Sequence, residues 1–499
     1  MRRRLGPLLL ALLAGLAARA AVLAAMDGVL PADGLYVDER VYAAGLEGIT
    51  HLPLQRPPAM YALYWLLSAF GGPSGARVAM SLLSLLPALA LAMVVPERGW
   101  WRWALPTAVA IQPDLLLFGT QLLPAVPAAV TAMAAILALR RGRTAAAGGL
   151  MGLACLFRAE LLLALPLLFL LPPRRFSARL RIAVPWVLPV APVLLANLLF
   201  GAGPVVSANG AENLWLGSRS ELMMTPPGVE FEELVQVSSE GGQRDFLGRA
   251  ADSVLASPGR WLLLGVRKTA TVAALPGPGR NLEVGYLIER LRMRPLLLPM
   301  LLVLSLGVLR LLRPPESGDD LALRRALGVG ALLTAFLFLP AARYRLAVMP
   351  AVWLPAASPP GRRELPGWGA VCLGVAALSL LSPATVRPGL TQIQRAERMV
   401  DEGRPEEALV SLEAAEGRGY AGADIHNLAG VSLAMAGDPE AGLRSFRDAA
   451  GLAPRSPTVW KNTAVCLAGL RRWRQASLAA KRAVELNPNL AEGLAPLLR

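Results

Sequence analysis

Charge is scarce in this chain of 499 residues: Asp, Glu, Lys and Arg make up 17% of it, against 55% hydrophobic residues. A soluble domain of this size carries about 25% charged residues, so a water-facing globule is excluded for most of the length. Lysine occurs only at positions 268, 461 and 481, and histidine only as His51 and His426. Two histidines cannot build a His-rich zinc site. Cys155, Cys372 and Cys466 are too far apart to form a metal motif or a disulfide spacing. The chain has no G-x-x-x-x-G-K-[ST] loop and no D-x-D pair. That removes the phosphate-cradling loop and the metal–nucleotide signature of soluble sugar transferases. Gly328 and Gly330 lie within an apolar run with no strand before them, which makes them helix-packing residues rather than a dinucleotide turn. No nucleotide cofactor is expected, and a divalent metal is left open.

Apolar length dominates what is present. Runs of near-spanning length fall at about 5–25, 77–95, 103–118, 122–139, 144–157, 160–172, 183–200, 295–312, 322–341, 344–357 and 366–383. They predict an all-α polytopic bundle of about eleven spans over 1–383. The stretch MRRR followed by LGPLLLALLAGLAARAAVLAA is read as an uncleaved first helix.

The net charge of +15 comes almost entirely from arginine, placed in short tethers between apolar runs rather than along one face. That pattern orients a membrane protein and does not predict a nucleic-acid partner. Arg2–Arg4, Arg98 and Arg102, RRGR (140–143), 172–181, 310–325 and 361–363 fall on one side, the cytoplasmic one by the positive-inside tendency. The polar segments 27–76 and 201–294, and everything after 383, then lie outside the cytoplasm. This topology places the protein in the plasma (inner) membrane with a cytoplasmic N-terminus. It requires that 261–276 does not cross, so WLLLGVRKTATVAAL is read as an interfacial or re-entrant helix. ARYR (342–345) breaks the charge pattern, being basic on the outer side. Arg343 and Arg345 are either tolerated charges at a helix end or ligands for an anionic lipid headgroup.

From Pro388 the composition turns soluble and acquires a period of 34: Gly403 and Gly437, then Ala415, Ala449 and Ala483, then Pro454 and Pro488. Trp460, Ala464, Leu467, Ala476, Ala483 and Pro488 match the tetratricopeptide pattern of paired antiparallel helices. Repeats are predicted at 389–422, 423–456 and 457–490, forming a soluble helical-repeat domain over 388–499 that is available to a protein partner.

Between the first two runs lies VDERVYAAGLEGITHLPLQRPPAMY (37–61), with an adjacent acidic pair, a histidine and a proline doublet. Locally, Asp38 and Glu39 fit an exposed acidic cap on a short helix, and His51 a solvated loop residue. In order with the rest of the chain, the stretch resembles another pattern. Asp38-Glu39, Tyr42-Ala43, Gly48, Pro57-Pro58 and Tyr61 after a first spanning helix look like the GT-C glycosyltransferases. More narrowly, they resemble the bacterial branch related to protein O-mannosyltransferases and lipid A aminoarabinose transferases. FRAELLLALPLLFLL (157–171), NGAENLWLGSR (209–219), SPGRWLLLGVRK (257–268) and RYRLAVMPAVWLPAA (343–357) are similar to later segments of that family, in order, over roughly 1–383.

The resemblance implies an enzyme of the cell envelope that transfers a sugar from a polyprenyl-phosphate donor to a protein, glycan or lipid acceptor outside the cytoplasm. It assigns Asp38 as the base for the acceptor hydroxyl, with Glu39 orienting the site or assisting a metal. Lys268, Arg343, Arg345 and Arg56 become candidates for the lipid phosphate, and His51, Tyr42 and Tyr61 for substrate. Arg158 and Glu160 are read as a self-satisfying pair. The chain departs from the family at GTQLLPAVPAA (119–129), where Ala125 stands in place of an acid and Gln121 or Asp114 would have to compensate. The alternative is a non-catalytic membrane scaffold that recruits partners through its repeats.

Overall fold

The computed structural model describes residues 2–26, 37–43, 45–50, 54, 56–96, 99–171, 176–218, 243–276, 284–313, 319–338, 341–381, 390–419, 422–487 and 490–498. Among these, every regular element is helical. The chain forms two compact units. The first takes the described residues of Met1–Met26, Tyr36–Asn213 and Pro258–Ala384. The second takes those of Leu214–Ser257 and Thr385–Arg499.

In the first unit, four helices are long and apolar enough to cross a membrane: Arg4–Ala25, Gly72–Val94, Phe176–Leu199 and Arg294–Leu312. Five further apolar helices are shorter. Several predicted runs are interrupted for a chemical reason. Proline has no N–H and its ring clashes with the carbonyl four residues back, so helices restart at Pro87 and Pro113. Within the span Gly72–Val94, Leu86–Val94 thus continues Gly72–Leu83 across a two-residue turn of helical backbone, and Pro113–Gly119 follows Trp101–Ala110. Pro350 and Pro355 likewise break 344–357 into short pieces. Helix Pro258–Ala273 keeps Leu264, Lys268 and Val272 buried while Leu262, Leu263 and Val266 are exposed. It is not among the four long spans.

Close helix contact in this unit depends on missing side chains. Thr144–Phe157 packs on Phe176–Leu199, and a Cβ on Gly148 would meet the Ile182 carbonyl oxygen at 2.1 Å, one on Gly152 the Trp186 oxygen at 2.4 Å. Small residues four apart let two backbones touch where lipid gives no hydrophobic drive.

Polar contacts sort the helix ends. At one end Arg140 pairs with Asp320 and Arg310 with Glu364, Arg325 donates to the Leu311 carbonyl, and Trp101 donates to that of Ala356. The opposite end gathers Glu39 with Arg77, Lys268 with the Leu337 carbonyl, and the Leu275 N–H with Ser379.

The second unit contains helix Gln243–Ala256 and the pairs Leu390–Asp401 with Pro405–Glu416, Ala423–Met435 with Pro439–Leu452, and Pro457–Gly469 with Trp473–Leu486. Small residues make the seams, among them Ala396, Ala408 and Ala415, then Ala464, Ala476, Ala480 and Ala483. The 34-residue period is written in the backbone: Gly403, Gly437 and Arg471 end the first helix of each pair with φ of 72°, 94° and 60°. A left-handed residue there terminates a helix, and glycine adopts it without steric cost.

Candidate functional site

The short helix Val37–Ala43 carries both members of the acidic pair. The Asp38 side chain and all of His51 lie outside the described residues. Glu39 is fully buried, with both oxygens engaged: Arg77 Nη2 donates to Oε2 at 2.7 Å, Arg77 Nη1 to Oε1 at 3.0 Å, and the Leu122 N–H to Oε1 at 2.7 Å. Arg77 also donates to the Thr120 carbonyl at 2.5 Å. Three parts of the chain therefore meet on one carboxylate: the 37–43 helix, the start of the second long span and the turn at 120–124. Bidentate charge-assisted bonds are short and direction-specific, so the clasp fixes the helix that bears Asp38. The resemblance gave Glu39 the role of orienting the site or assisting a metal. In the fold its oxygens face Arg77 and a backbone amide, which are not metal companions, and no group of three or more His, Cys, Asp or Glu that suits a metal occurs among the described residues.

Around this clasp lie the predicted tyrosines. The rings of Tyr42 and Tyr61 meet edge to face at 5.1 Å, and both are buried. A Cβ on Gly48 would strike the Tyr61 ring at 2.3 Å, which explains the glycine. Burial raises the Tyr61 phenol above its ordinary value, and the nearby Arg56 guanidinium opposes that shift. Leu54, just before Arg56, is tied down by Asn197, whose Oδ1 accepts the Leu54 N–H at 2.7 Å while the Leu54 carbonyl accepts from Ala208 at 2.7 Å.

A second clasp involves Arg345. Its Nε and Nη2 donate to the Asp114 carboxylate at 2.7 and 3.0 Å, and its Nη1 to the carbonyls of Val272 and Ala274 at 2.9 and 2.5 Å. Arg345 is thus directed inward onto Asp114, and not outward to a headgroup as its place in ARYR suggested. Arg343 is half-buried. Lys268 is 1% exposed and donates to the Leu337 carbonyl at 3.2 Å, and burial pulls its ammonium below the ordinary lysine range. Arg158 and Glu160 form the expected pair, and the Arg158 guanidinium lies 4.8 Å from the Tyr344 ring centre. A small cavity beside them is lined by Glu160, Tyr344, Thr334 and apolar side chains.

At the turn that departs from the family pattern, Ala125 is fully buried. Gln121 is 1% exposed, and neither amide atom has a hydrogen-bond partner among the described residues. It sits between Thr120 and Leu122, the two residues that serve the Glu39–Arg77 clasp.

One buried charge lies within the first span. Arg19 is 2% exposed and donates from Nε to the Ser81 carbonyl (2.8 Å) and the Ser84 hydroxyl (2.9 Å), and from Nη1 to the carbonyls of Gly15 (3.0 Å) and Ala110 (2.7 Å). Ser81 and Ser84 flank the break before Pro87, and Ala110 the break before Pro113. Backbone groups released by a broken helix must find partners where water is excluded, and Arg19 supplies donors to both breaks. It thereby sets the Arg77 helix against the segment that carries Asp114. Arg77, Asn197 and Arg19 all escaped notice as sequence motifs. Only Arg19 carried a local signal, a charge inside an apolar run.

No protein-family model matches the chain, and no curated protein matches it.

Proposed function

We propose that the chain is an integral-membrane glycosyltransferase of about eleven spans, GT-C-like, with tetratricopeptide repeats at its C-terminal end. In this reading the Glu39–Arg77 end of the first unit faces away from the cytoplasm. The acceptor hydroxyl oxygen attacks the anomeric carbon of a polyprenyl-phosphate sugar. The bond from that carbon to the phosphate oxygen breaks, the phosphate leaves with the electron pair, and the hydroxyl proton passes to the Asp38 carboxylate. Arg56 and Arg343, both half-buried, are the guanidinium candidates for the departing phosphate. The observation that carries the reading is the Glu39 clasp. A buried carboxylate spent on anchoring a short interfacial helix makes sense where the neighbouring residue must be held in place.

The test is Asp38→Asn, measured as glycan transfer to envelope acceptors together with membrane insertion. Transfer is expected to vanish while insertion and protein level persist. Full activity in the variant removes Asp38 as the base. A function that survives Asp38→Asn but disappears on deletion of 388–499 favours the scaffold.

A further inference from the structure

The third helix pair of the second unit breaks the rule of the first two. Where they use Gly403 and Gly437 in the left-handed turn, it uses Arg471, at φ 60°. An L-residue in that conformation is strained by contact of its Cβ with the backbone, and arginine has no short polar side chain to relieve it. Arg471 opens the run R-R-W-R, and Trp473 is 61% exposed at the start of helix Trp473–Leu486. That helix buries only alanines, Ala476, Ala479, Ala480 and Ala483. Its opposite face presents Trp473, Arg474, Leu478 (63% exposed), Lys481 and Arg482.

Charge is divided sharply along the repeats. Residues 388–440 hold ten acidic and four basic side chains, and residues 441–499 hold three acidic and ten basic, so the net charge changes from −6 to +7. Arg482 is paired with Glu485, but Arg471, Arg474 and Lys481 make no ion pair among the described residues. A tryptophan and a leucine set among unpaired cations match the headgroup layer of an anionic bilayer, where the ring and the alkyl group enter the interface and the cations meet phosphate. A protein groove would be expected to cover the two apolar groups with less fixed charge around them. Proximity favours the same occupant: the apolar helix Leu365–Leu381 ends nine residues before Leu390 opens the first pair. Nine residues reach at most about 30 Å, which keeps the repeats at high effective concentration over any bilayer that holds that helix.

We infer that the outer face of helix Trp473–Leu486, with the Arg471 turn, docks on an anionic lipid surface. This rests on the first unit being membrane-embedded and does not depend on the transfer reaction. The full chain is placed in lipid nanodiscs with an environment-sensitive dye on Gln475→Cys, in a Cys372→Ser background that leaves only the buried Cys155 and Cys466. Co-elution with the disc reports on membrane embedding by itself. Doxyl lipids are expected to quench the dye in phosphatidylglycerol-rich discs and several-fold less in pure phosphatidylcholine. Molar salt is expected to abolish the difference in the dye-labelled chain with its native charges, without any charge variant. The triple variant Arg471→Glu, Arg474→Glu, Lys481→Glu is expected to lose the quenching at unchanged helix content. Equal quenching in the two lipids overturns the inference. So does a dye left unquenched in anionic discs but cross-linked to an acidic protein in native membranes.

Discussion

The two units use the same residue types in opposite ways. The first holds two arginine–carboxylate pairs that are buried and bidentate, Arg77–Glu39 and Arg345–Asp114, with side chains between 0 and 9% exposed, beside exposed ones such as Arg294–Glu289. In the second, Arg404–Glu407, Arg472–Glu440 and Arg482–Glu485 stand roughly half exposed. A pair out of water has already lost its hydration, so removing one partner strands the other. An exposed pair exchanges one partner for water at almost no cost. The difference between the buried pairs, which among the described residues lie in the first unit, and the exposed ones is therefore one of dielectric surroundings and not of composition. Each of the following substitutions tests a different point on that scale.

The largest effect is expected from Arg77→Leu, which leaves the Glu39 carboxylate buried without its guanidinium partner. Loss of one partner of a buried pair costs about 3–5 kcal/mol. The measurement is the thermal midpoint of the intact protein in detergent or nanodiscs. The double variant Arg77→Leu with Glu39→Leu should recover much of the loss, since it removes the stranded charge as well. A double variant as unstable as the single one shows that the clasp is a packing feature and not an electrostatic one.

A middle-sized effect is expected at Arg19, whose partners are neutral carbonyls and a hydroxyl. Arg19→Leu takes a donor from the Ala110 carbonyl, at about 1–3 kcal/mol for an unsatisfied buried group, while the Ser81 carbonyl keeps the Ser84 hydroxyl as donor. Arg19→Lys should restore only part of this, because an ammonium on one flexible stem cannot bridge two helix breaks as the planar fork does. Equal stability of the Lys variant and the native protein would show that charge alone suffices there.

How far these features were legible follows from the range over which each is encoded. The apolar runs and the 34-residue period are local patterns, and the helices follow them. Pro87 and Pro113 were visible as residues, but their effect on the spans depends on the turns they force. The acidic pair is visible in the sequence, yet Arg77 is 38 residues from Glu39 and Asp114 is 231 residues from Arg345. Nothing in either neighbourhood marks them. Arg345 was misleading because a basic residue at a helix end reads equally well as an outward ligand or an inward anchor. The choice depends on Asp114, which lies on the far side of a helix break.

The smallest effect is expected at the surface of the repeats. Arg404 donates to Glu407, and Arg398 and Arg404 both donate to Glu402. These hydrogen bonds hold both carboxyls below their ordinary values. A carboxyl lowered in the folded state adds stability that is fully present above its unfolded value and is lost as the pH falls through the lowered one. Any contribution therefore disappears only below the usual carboxylate range, and salt screens it at every pH above that. Glu407→Gln should leave the neutral-pH thermal midpoint within experimental scatter of the native protein, with a small difference emerging only at low ionic strength. A shift at neutral pH as large as that of Arg77→Leu would mean that Arg404 and Glu407 are not in water. The contrast between the units would then fail, and the acidic half of the repeats would have to be covered by another surface.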